Sequence, residues 1–565
     1  MKKDLYILGI SCFFHDSSVS LLKNGEIIFA VEEEKLSRIK HDSSFPENAI
    51  KACLNYCNIS ISDIDYVGFY EKPFIKFENF LKNYIKTYPF GYYGFIRGIK
   101  EWLKSKLFFK RILYKKTGYR GNVIYIDHHL SHAAGAFFSS GYEKSAILTV
   151  DGVGEESTTT WGIGEKNQIE VKEKIIFPNS VGLIYSAFTS YLGFAVNDGE
   201  YKMMGLAPYG KSIYVDIIKD KLIQIKDDGS FDINMSYFSF QYGRKMINNK
   251  FEKLFGQKTR NKNEEITQFH KDIAASIQKV TEELLFSIVN YIYSETKLEN
   301  LCISGGVGLN CVANYYLFKK SNFKNIYVQP SPGDGGSSVG VCYYIYSCIL
   351  GEKSKAFENI YLGEEFSYEN IKLILKDYEN KVSFEKIDIE KMTKNVSKLI
   401  MENNVIGWFQ GRAEFGPRAL GNRSILGNPL NKENWKKINL KIKFRESFRP
   451  FAPSIIEEEL GKYYDLNGQY PYMLFVSKSK NDNLFPAVTH LDGTSRVQTI
   501  NEKQNLKYYL LLKEFEKVSG FPILINTSFN LSSEPIVYSP IDALNTFLNC
   551  GMDYLVLGDY FISKK

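Results

Sequence analysis

No CxxC pair occurs among the eight cysteines of this 565-residue chain, which stand scattered at positions 12, 53, 57, 302, 311, 342, 348 and 550. Their neighbours are mostly apolar or alternating, the setting of buried thiols in a reducing compartment, which excludes a disulfide framework and a structural zinc knuckle. No run of 18 apolar residues is present, so no membrane-spanning helix is expected. The start, Met1-Lys2-Lys3-Asp4 and then Leu5 to Ile10, reaches His15 and Asp16 before an apolar core of signal length develops; the expectation is a cytoplasmic protein. No low-complexity linker divides the chain, yet its length, with 44% hydrophobic and 15% aromatic content, exceeds what one ordinary domain holds. Two domains are the minimum.

Histidine is also scarce, with seven in all. Two of them, His128 and His132, are four residues apart in an Ala-rich stretch, and that step on a helix points both imidazoles at one spot. A carboxylate-rich loop follows, Asp151-Gly152-Val153-Gly154-Glu155-Glu156, so imidazole and carboxylate ligands for a borderline divalent metal can be assembled nearby. The plain alternative is a packed, hydrogen-bonded His pair.

Acidic residues are nearly missing from positions 72 to 120, where 13 Lys or Arg face only Glu78 and Glu101, a surplus of +11 against +7 for the whole chain. Aromatics interleave them (Phe74, Phe77, Phe80, Tyr84, Tyr88, Trp102, Phe108, Phe109). Such a segment suits a membrane surface, nucleic acid or an acidic acceptor. The competing reading is amphipathic helices that bury the aromatics and leave Lys in solvent.

Residues 6–10, 18–23 and 26–31 read as a three-stranded meander with an Asn24-Gly25 turn, and residues 146–150, 158–163 and 169–177 repeat the pattern about 140 residues later. This suggests a duplicated α/β domain laid out like the actin, sugar kinase and Hsp70-type ATPase superfamily, with the active cleft between its halves. An amphipathic helix follows, with Ile273, Ile277, Val280, Leu284 and Ile288 at helical steps. Then come two Gly-rich strand-to-helix turns, Ser304-Gly305-Gly306-Val307-Gly308-Leu309-Asn310 and Ser331-Pro332-Gly333-Asp334-Gly335-Gly336, both apt to offer backbone amides to nucleotide or phosphate oxygens. The polar stretch at 351–365 marks the domain boundary, giving domains 1–355 and 356–565. The second is rich in Arg: Gly411-Arg412-Ala413-Glu414-Phe415-Gly416-Pro417-Arg418-Ala419-Leu420-Gly421-Asn422-Arg423-Ser424, then Lys441, Lys443, Arg445 and Arg449, then Asn526-Thr527-Ser528-Phe529-Asn530. Arg forks beside Asn, Ser and Thr donors suit the phosphates of a small anionic ligand; pairing of those arginines with Glu414, Glu446 and Glu457 is the alternative.

Nearly end to end, the chain resembles the O-carbamoyltransferase family typified by antibiotic (tobramycin, novobiocin, cephamycin) and nodulation-factor enzymes. The resemblance is carried by His15-Asp16-Ser17-Ser18, Glu32 to Arg38 with Lys40-His41, Asp127 to Phe137, Gly199 to Ala207, Ser304 to Asn310, Gly333-Asp334, Gly416 to Arg423 and Asn526 to Asn530. It implies an N-terminal domain like the tRNA threonylcarbamoyl-transferring ATPases and an α+β C-terminal domain that forms carbamoyl-adenylate from carbamoyl phosphate and ATP. The carbamoyl group then passes to a hydroxyl of a small-molecule natural product or sugar at an iron site. By this resemblance His128, His132, Asp151 and Asp334 bind Fe2+ or a replacing divalent ion, and Lys202, Gly205, Gly305, Gly306 and Asn310 hold the adenylate. Arg418, Lys443, Arg449, Asn526, Ser528 and Asn530 line the carbamoyl phosphate and ATP site, where Mg2+ accompanies ATP. His15, beside Asp16, is the candidate proton acceptor, since a neutral imidazole acts near pH 7; a structural His at a strand end is the alternative.

Ser533 stands where relatives usually carry Gly after the Asn-Thr-Ser-Phe-Asn motif, which puts that turn in question. Gly205-Leu206-Ala207-Pro208-Tyr209-Gly210-Lys211-Ser212 matches a P-loop literally, but no buried apolar strand precedes it and a Pro sits inside it, so a Walker-type site is not expected. Two other readings compete: carbamoyl or threonylcarbamoyl transfer to tRNA adenosine, and a nucleotide-binding module without turnover. Neither nucleic acid nor a transmembrane segment is expected among the partners, and a homodimer is compatible with the reading.

Overall fold

Alternation and turn chemistry in the first thirty residues give the first sheet. The computed structural model describes residues 4–243, 245–445, 448–449, 451–532 and 534–565. Strands β1 (Tyr6–Ser11), β2 (Ser18–Lys23) and β3 (Glu26–Glu32) form the meander, with Asn24 and Gly25 both at positive φ in the tight turn. Strands β4 (Tyr66–Phe69) and β5 (Asn122–Tyr125) add in parallel beside β1, giving the order β3-β2-β1-β4-β5.

The second sheet repeats this plan. Its meander is β6 (Lys144–Val150), β7 (Ser157–Glu165) and β8 (Gln168–Ile176). After the small hairpin β9 (Ile223–Ile225) and β10 (Phe231–Ile233), strands β11 (Asn300–Ser304) and β12 (Asn325–Val328) add in parallel beside β6. The order β12-β11-β6-β7-β8 is that of the first sheet, so the duplication expected from the sequence is present in the topology. Helix Gln268–Thr296 carries Ile273, Ile277, Val280, Leu284 and Ile288 in its buried stripe.

Two helices exchange sheets. His128–Ser140, which follows the last strand of the first sheet, packs on the second; Asp334–Tyr343, which follows the last strand of the second, packs on the first. The two helices also pack on one another, and small residues set how closely. A Cβ on Gly340 would lie 1.7 Å from the Ser131 carbonyl oxygen, and one on Gly9 of β1 would lie 2.0 Å from the Ser338 carbonyl oxygen. Gly340 and Gly9 therefore serve close packing, whereas a Cβ on Gly333 of the turn would meet open space. Gly340→Ala is expected to force these helices apart and cost about 1–3 kcal/mol, read as a shifted urea midpoint.

Residues 200–206 form a helix and 207–209 a 3-10 turn, while the Lys211 amide donates to Asp272 Oδ1 at 2.7 Å. The literal P-loop match is thus helical, with no strand before it.

By contacts the chain divides into two units: Met1–Ala30 with Ser43–Phe357, and Val31–Asp42 with Glu358–Lys565. Residues 31–42, which the sequence reading places in the first domain, are grouped with the second. The reason is electrostatic. Buried Lys35 pairs with Glu32 at 2.8 Å and donates to the carbonyls of Glu414 (2.7 Å) and Gly416 (3.1 Å), while Arg38 donates to the carbonyls of Ile536 (2.7 Å) and Pro535 (3.0 Å). A buried ammonium requires such acceptors.

The second unit is built on an eight-stranded mixed sheet. Its strands are β13 (Val382–Lys386), β14 (Ile406–Phe409), β15 (Arg423–Gly427), β16 (Ala452–Ile456), β19 (Gln498–Ile500), β20 (Ile523–Ser528), β21 (Tyr554–Leu557) and β22 (Tyr560–Lys564), in the order β13-β22-β21-β14-β15-β20-β16-β19. A separate pair, β17 (Val476–Lys478) and β18 (Thr494–Arg496), lies outside it. Helices Ile389–Met401 and Leu506–Ser519 pack together and bury Val396, Ile400, Leu512 and Phe515 with Trp408 and Val556 of the sheet.

Candidate metal centre and anion site

Asp127 caps the helix His128–Ser140, accepting from the amides of His129 (3.1 Å) and Leu130 (3.3 Å), and so fixes where the i, i+4 step begins. The His128 and His132 rings lie nearly perpendicular with their Nε2 atoms 3.2 Å apart. Asp151, just past the end of β6, brings Oδ2 to 2.9 Å from His128 Nε2 and 4.0 Å from His132 Nε2. Asp334, first residue of its helix, brings Oδ1 to 3.7 and 3.6 Å from the same two nitrogens. The four sequence-predicted metal residues therefore converge: one ligand atom from each lies within 4.8 Å of the others. A tetrahedron with ordinary metal–ligand bonds has edges of about 3.4 Å, in the midst of these separations.

Electrostatics points the same way. His128, His132 and Asp334 are 1% exposed, and neither Asp334 carboxylate oxygen takes part in a hydrogen bond. Burial favours neutral carboxyls, but the imidazoles outweigh it, holding Asp334 below the usual carboxylate range and Asp151 well below it. Burial likewise opposes charge on His128 and His15, yet Asp334 with Asp151, and for His15 also Asp16, raises both to about 9. Two buried anions that draw protons onto neighbouring imidazoles fit a divalent cation, which would satisfy the same charge without those protons. The His2Asp2 donor set suits iron or zinc.

Further residues orient the ligands. His132 Nδ1 lies 3.3 Å from Ser304 Oγ and 3.4 Å from Ser337 Oγ, and Asp151 Oδ1 accepts from the Gly306 amide at 2.9 Å. Glu155 accepts from the His128 amide at 3.1 Å and the Lys72 amide at 2.7 Å. His129, between the pair, is 2.6 Å from Thr149 Oγ1 and 2.8 Å from the Ser157 carbonyl; burial and the two neighbouring imidazoles hold it neutral, with its pKa near about 3. His15 is 3.0 Å from Asp16 through Nδ1 and 3.9 Å from Asp334 Oδ2 through Nε2, beside the cluster. Its partners hold a proton on it here, whereas the sequence reading uses a neutral ring.

The residues expected to hold an adenylate lie on three elements. Gly305 has φ +91°, and a Cβ there would sit 2.2 Å from the Val150 carbonyl oxygen, so only glycine fits. Gly306 follows, its amide engaged by Asp151. Asn310 caps the helix Cys311–Lys320 through the Ala313 amide (3.0 Å) and exchanges amide hydrogen bonds with Gln278. Lys202 and Gly205 lie on the helix Glu200–Leu206, with Lys202 Nζ 6.0 Å above the Phe194 ring.

In the second unit, Lys443 is buried and donates to the carbonyl and hydroxyl oxygens of Ser528 and the carbonyl and Oδ1 of Asn530, the last at 2.7 Å. Ser528 Oγ donates to Asn530 Oδ1 at 2.7 Å, and Asn526 Nδ2 donates to Gln498 Oε1 at 2.8 Å. Burial, then the charges of Arg445, Arg449 and Lys40, push the Lys443 pKa well below the lysine range. A bound anion would offset these charges. Arg418 lies in the loop before β15. Ser533 and Glu446 lie outside the described residues.

Not every arginine of that motif is offered to a ligand. Arg423 is fully buried, stacks 3.6 Å from the centre of the Phe409 ring and donates to the carbonyls of Gln410 (2.6 Å), Gly411 (3.1 Å) and Asn422 (3.0 Å). Arg412 is likewise spent on the carbonyls of Gly363 and Leu362. Glu414 Oε1 accepts the amides of Leu420, Asn422 and Arg423 at 2.7, 2.7 and 3.0 Å, which organises the loop. Arg423→Met leaves these buried carbonyls short of donors, and a loss of about 3 kcal/mol in urea unfolding is expected.

Sequence reasoning quotes Lys40, Arg445, Ser304 and Glu155 only within motifs, with no site role of their own, and passes over Ser337. The sequence signal for the first was present in Lys40-His41, but no spacing rule links it to a motif some 400 residues away.

Comparison with known proteins gives the family. The family described as Carbamoyltransferase N-terminus matches residues 6–343, and that described as Carbamoyltransferase C-terminus matches residues 397–564. An uncharacterized Synechocystis protein is 44% identical over 99% of this chain and 97% of its own length. The nodulation protein NolNO of Sinorhizobium fredii is 35% identical over 98% of this chain and 79% of its own. A 3'-hydroxymethylcephem-O-carbamoyltransferase of Amycolatopsis lactamdurans is 32% identical over 47% of this chain and 49% of its own. The chain belongs to the carbamoyltransferase family.

Proposed function

We propose that the protein is an ATP-dependent O-carbamoyltransferase that runs two steps, one in each domain. In residues 356–565, carbamoyl phosphate loses its phosphate to water, the resulting carbamate oxygen attacks the α-phosphorus of ATP, and pyrophosphate leaves. The product is carbamoyl-adenylate. In residues 1–355, an acceptor hydroxyl oxygen attacks the carbamoyl carbon, its proton passes to a base, and AMP leaves with the bonding electron pair. The reading is carried by one coincidence within a chain of this family: a cation-ready His2Asp2 cluster in one unit and, in the other, a buried lysine whose strongest electrostatic neighbours are cations.

His128, His132, Asp151 and Asp334 would hold the divalent ion, ferrous iron by resemblance, with Ser304 and Ser337 keeping His132 in orientation and Gly306 keeping Asp151. A divalent ion there would polarise the carbamoyl carbonyl as a Lewis acid. The same ion would offset the Asp334 and Asp151 charges that otherwise hold a proton on His15, and the neutral ring, beside the cluster, is the candidate acceptor of the hydroxyl proton. Lys202, Gly205, Gly305, Gly306 and Asn310 hold the adenylate, while Arg418, Lys443, Arg449, Asn526, Ser528 and Asn530 hold carbamoyl phosphate and ATP. Carbamate is a poor electrophile until its oxygen carries a good leaving group, so adenylation and carbonyl polarisation each lower the barrier.

The acceptor is a hydroxylated natural product or sugar. Pyrophosphate release that requires ATP and carbamoyl phosphate together tests the first step; absence of release with both present overturns the reading. Labelled carbamoyl phosphate offered with a panel of hydroxylated metabolites then identifies the acceptor.

A further inference from the structure

The basic segment folds as helices Pro73–Thr87, Tyr92–Lys104 and Phe109–Thr117, and it divides its aromatic residues between two environments. One set does what an amphipathic pair requires. Tyr84 stacks on Phe95 (ring centres 3.7 Å), Phe80 on Phe95 (5.4 Å), and Phe77 packs against buried Trp102 (5.6 Å). A second set is left outside: Phe74 is 71% exposed, Ile85 74%, Tyr88 69%, Phe90 65% and Tyr93 82%, with Tyr92 and Ile96 exposed beside them. Five of these seven fall between residues 85 and 93, at the tip where the first two helices join, and Lys82, Lys86, Arg97 and Lys100 are exposed next to them.

We propose that this helical tip seats on the surface of an anionic bilayer. Tyr and aliphatic side chains at one tip, with Lys86 and Lys100 exposed beside them and Lys82 and Arg97 paired with Glu78 and Glu101, match the layer where headgroups meet acyl chains, and the +11 surplus of residues 72–120 as a whole complements anionic headgroups. A protein partner fits less well, because interface centres are depleted of Lys. Nucleic acid fits less well too: bases stack on aromatic faces along a groove, and protruding Ile85 and Ile96 offer no such face. No helix among the described residues is long and apolar enough to cross a membrane, so the contact lies on the surface.

The tip is not a loose appendage. Asn83 donates to the Gln241 carbonyl at 2.7 Å, Phe90 packs against Tyr242, and at the base of the same helix Asn79 and Lys72 are bound to Glu155, which also holds the His128 amide. Docking would therefore seat the metal cluster's own supporting loop near the bilayer. This goes beyond the proposed chemistry, and its test reads binding alone.

The test is flotation of the full-length protein with phosphatidylcholine vesicles containing about a third phosphatidylglycerol, at low and high salt, against pure phosphatidylcholine. The protein is expected to float with anionic vesicles at 50 mM salt, about tenfold more weakly at 500 mM and about tenfold more weakly on neutral vesicles. Tyr88→Ser with Tyr93→Ser, and separately Lys86→Glu with Lys100→Glu, should each lower the bound fraction about tenfold; all four sites are exposed, and unchanged thermal melting verifies folding. The proposal is overturned if the wild-type protein stays in solution, if both variants float like the wild type, or if the segment binds short RNA while leaving vesicles alone.

Discussion

His132→Ala protein purified without oxygen is expected to retain less than a tenth of the divalent metal bound by the wild type. It should still release pyrophosphate from ATP and carbamoyl phosphate, and should transfer the carbamoyl group at least about a thousandfold more slowly. His132 supplies one of four converging ligand atoms, with Nε2 3.6 Å from Asp334 and 3.2 Å from His128 Nε2. Removing its ring leaves Asp334, already without a hydrogen bond, facing a void. Metal analysis and the two half-reactions, measured on one preparation, check this. Full metal content in the variant would sink the ligand assignment, and loss of pyrophosphate release would sink the separation of the steps. Treating the wild type with a strong chelator should produce the same split.

Lys443→Met is expected to do the reverse, cutting pyrophosphate release by about a hundredfold or more with metal content unchanged. The lysine holds four oxygens of Ser528 and Asn530 in one arrangement and, with Arg445, Arg449 and Lys40, contributes to a concentration of positive charge. Methionine keeps its length but removes the charge. Arg418→Ala and Arg449→Ala should each cost about 1.5–3 kcal/mol, roughly 10- to 150-fold in release, as a lost charge-assisted contact to phosphate does. Synthetic carbamoyl-adenylate should bypass all three. A bypass that fails in a folded variant would mean that these residues serve transfer as well.

Periodic and local features were legible in the chain. The i, i+4 His pair, the Asn24-Gly25 hairpin, the twice-repeated meander and the stripe from Ile273 to Ile288 each depend on neighbours within a turn or a strand pair, and the structure has all of them. Composition was a poorer guide to Arg and Gly. Arg423 and Arg412 read as phosphate forks but are consumed by main-chain carbonyls, because a guanidinium satisfies several converging acceptors as readily as a phosphate. Gly340 lies just beyond a turn that reads as an anion nest, yet it is a crossing point of helices.

What the sequence determined by itself is the duplicated α/β plan, the ligand types and the family, since these follow from patterns and segments read along the chain. What only the tertiary structure decided is which distant residues share a site. Asp151 and Asp334 meet because two helices exchange sheets and touch at Gly340. Lys40 joins Lys443 because buried Lys35 needs the carbonyls of residues 414 and 416, and it draws its whole strap into the second unit. The outward turn of Tyr88 and Tyr93 was likewise undecided by composition, since an aromatic among lysines reads the same whether a helix partner covers it or not. Packing resolves the ambiguity: Phe77, Phe80, Tyr84, Phe95 and Trp102 stack against one another, while Tyr88 and Tyr93 are left exposed.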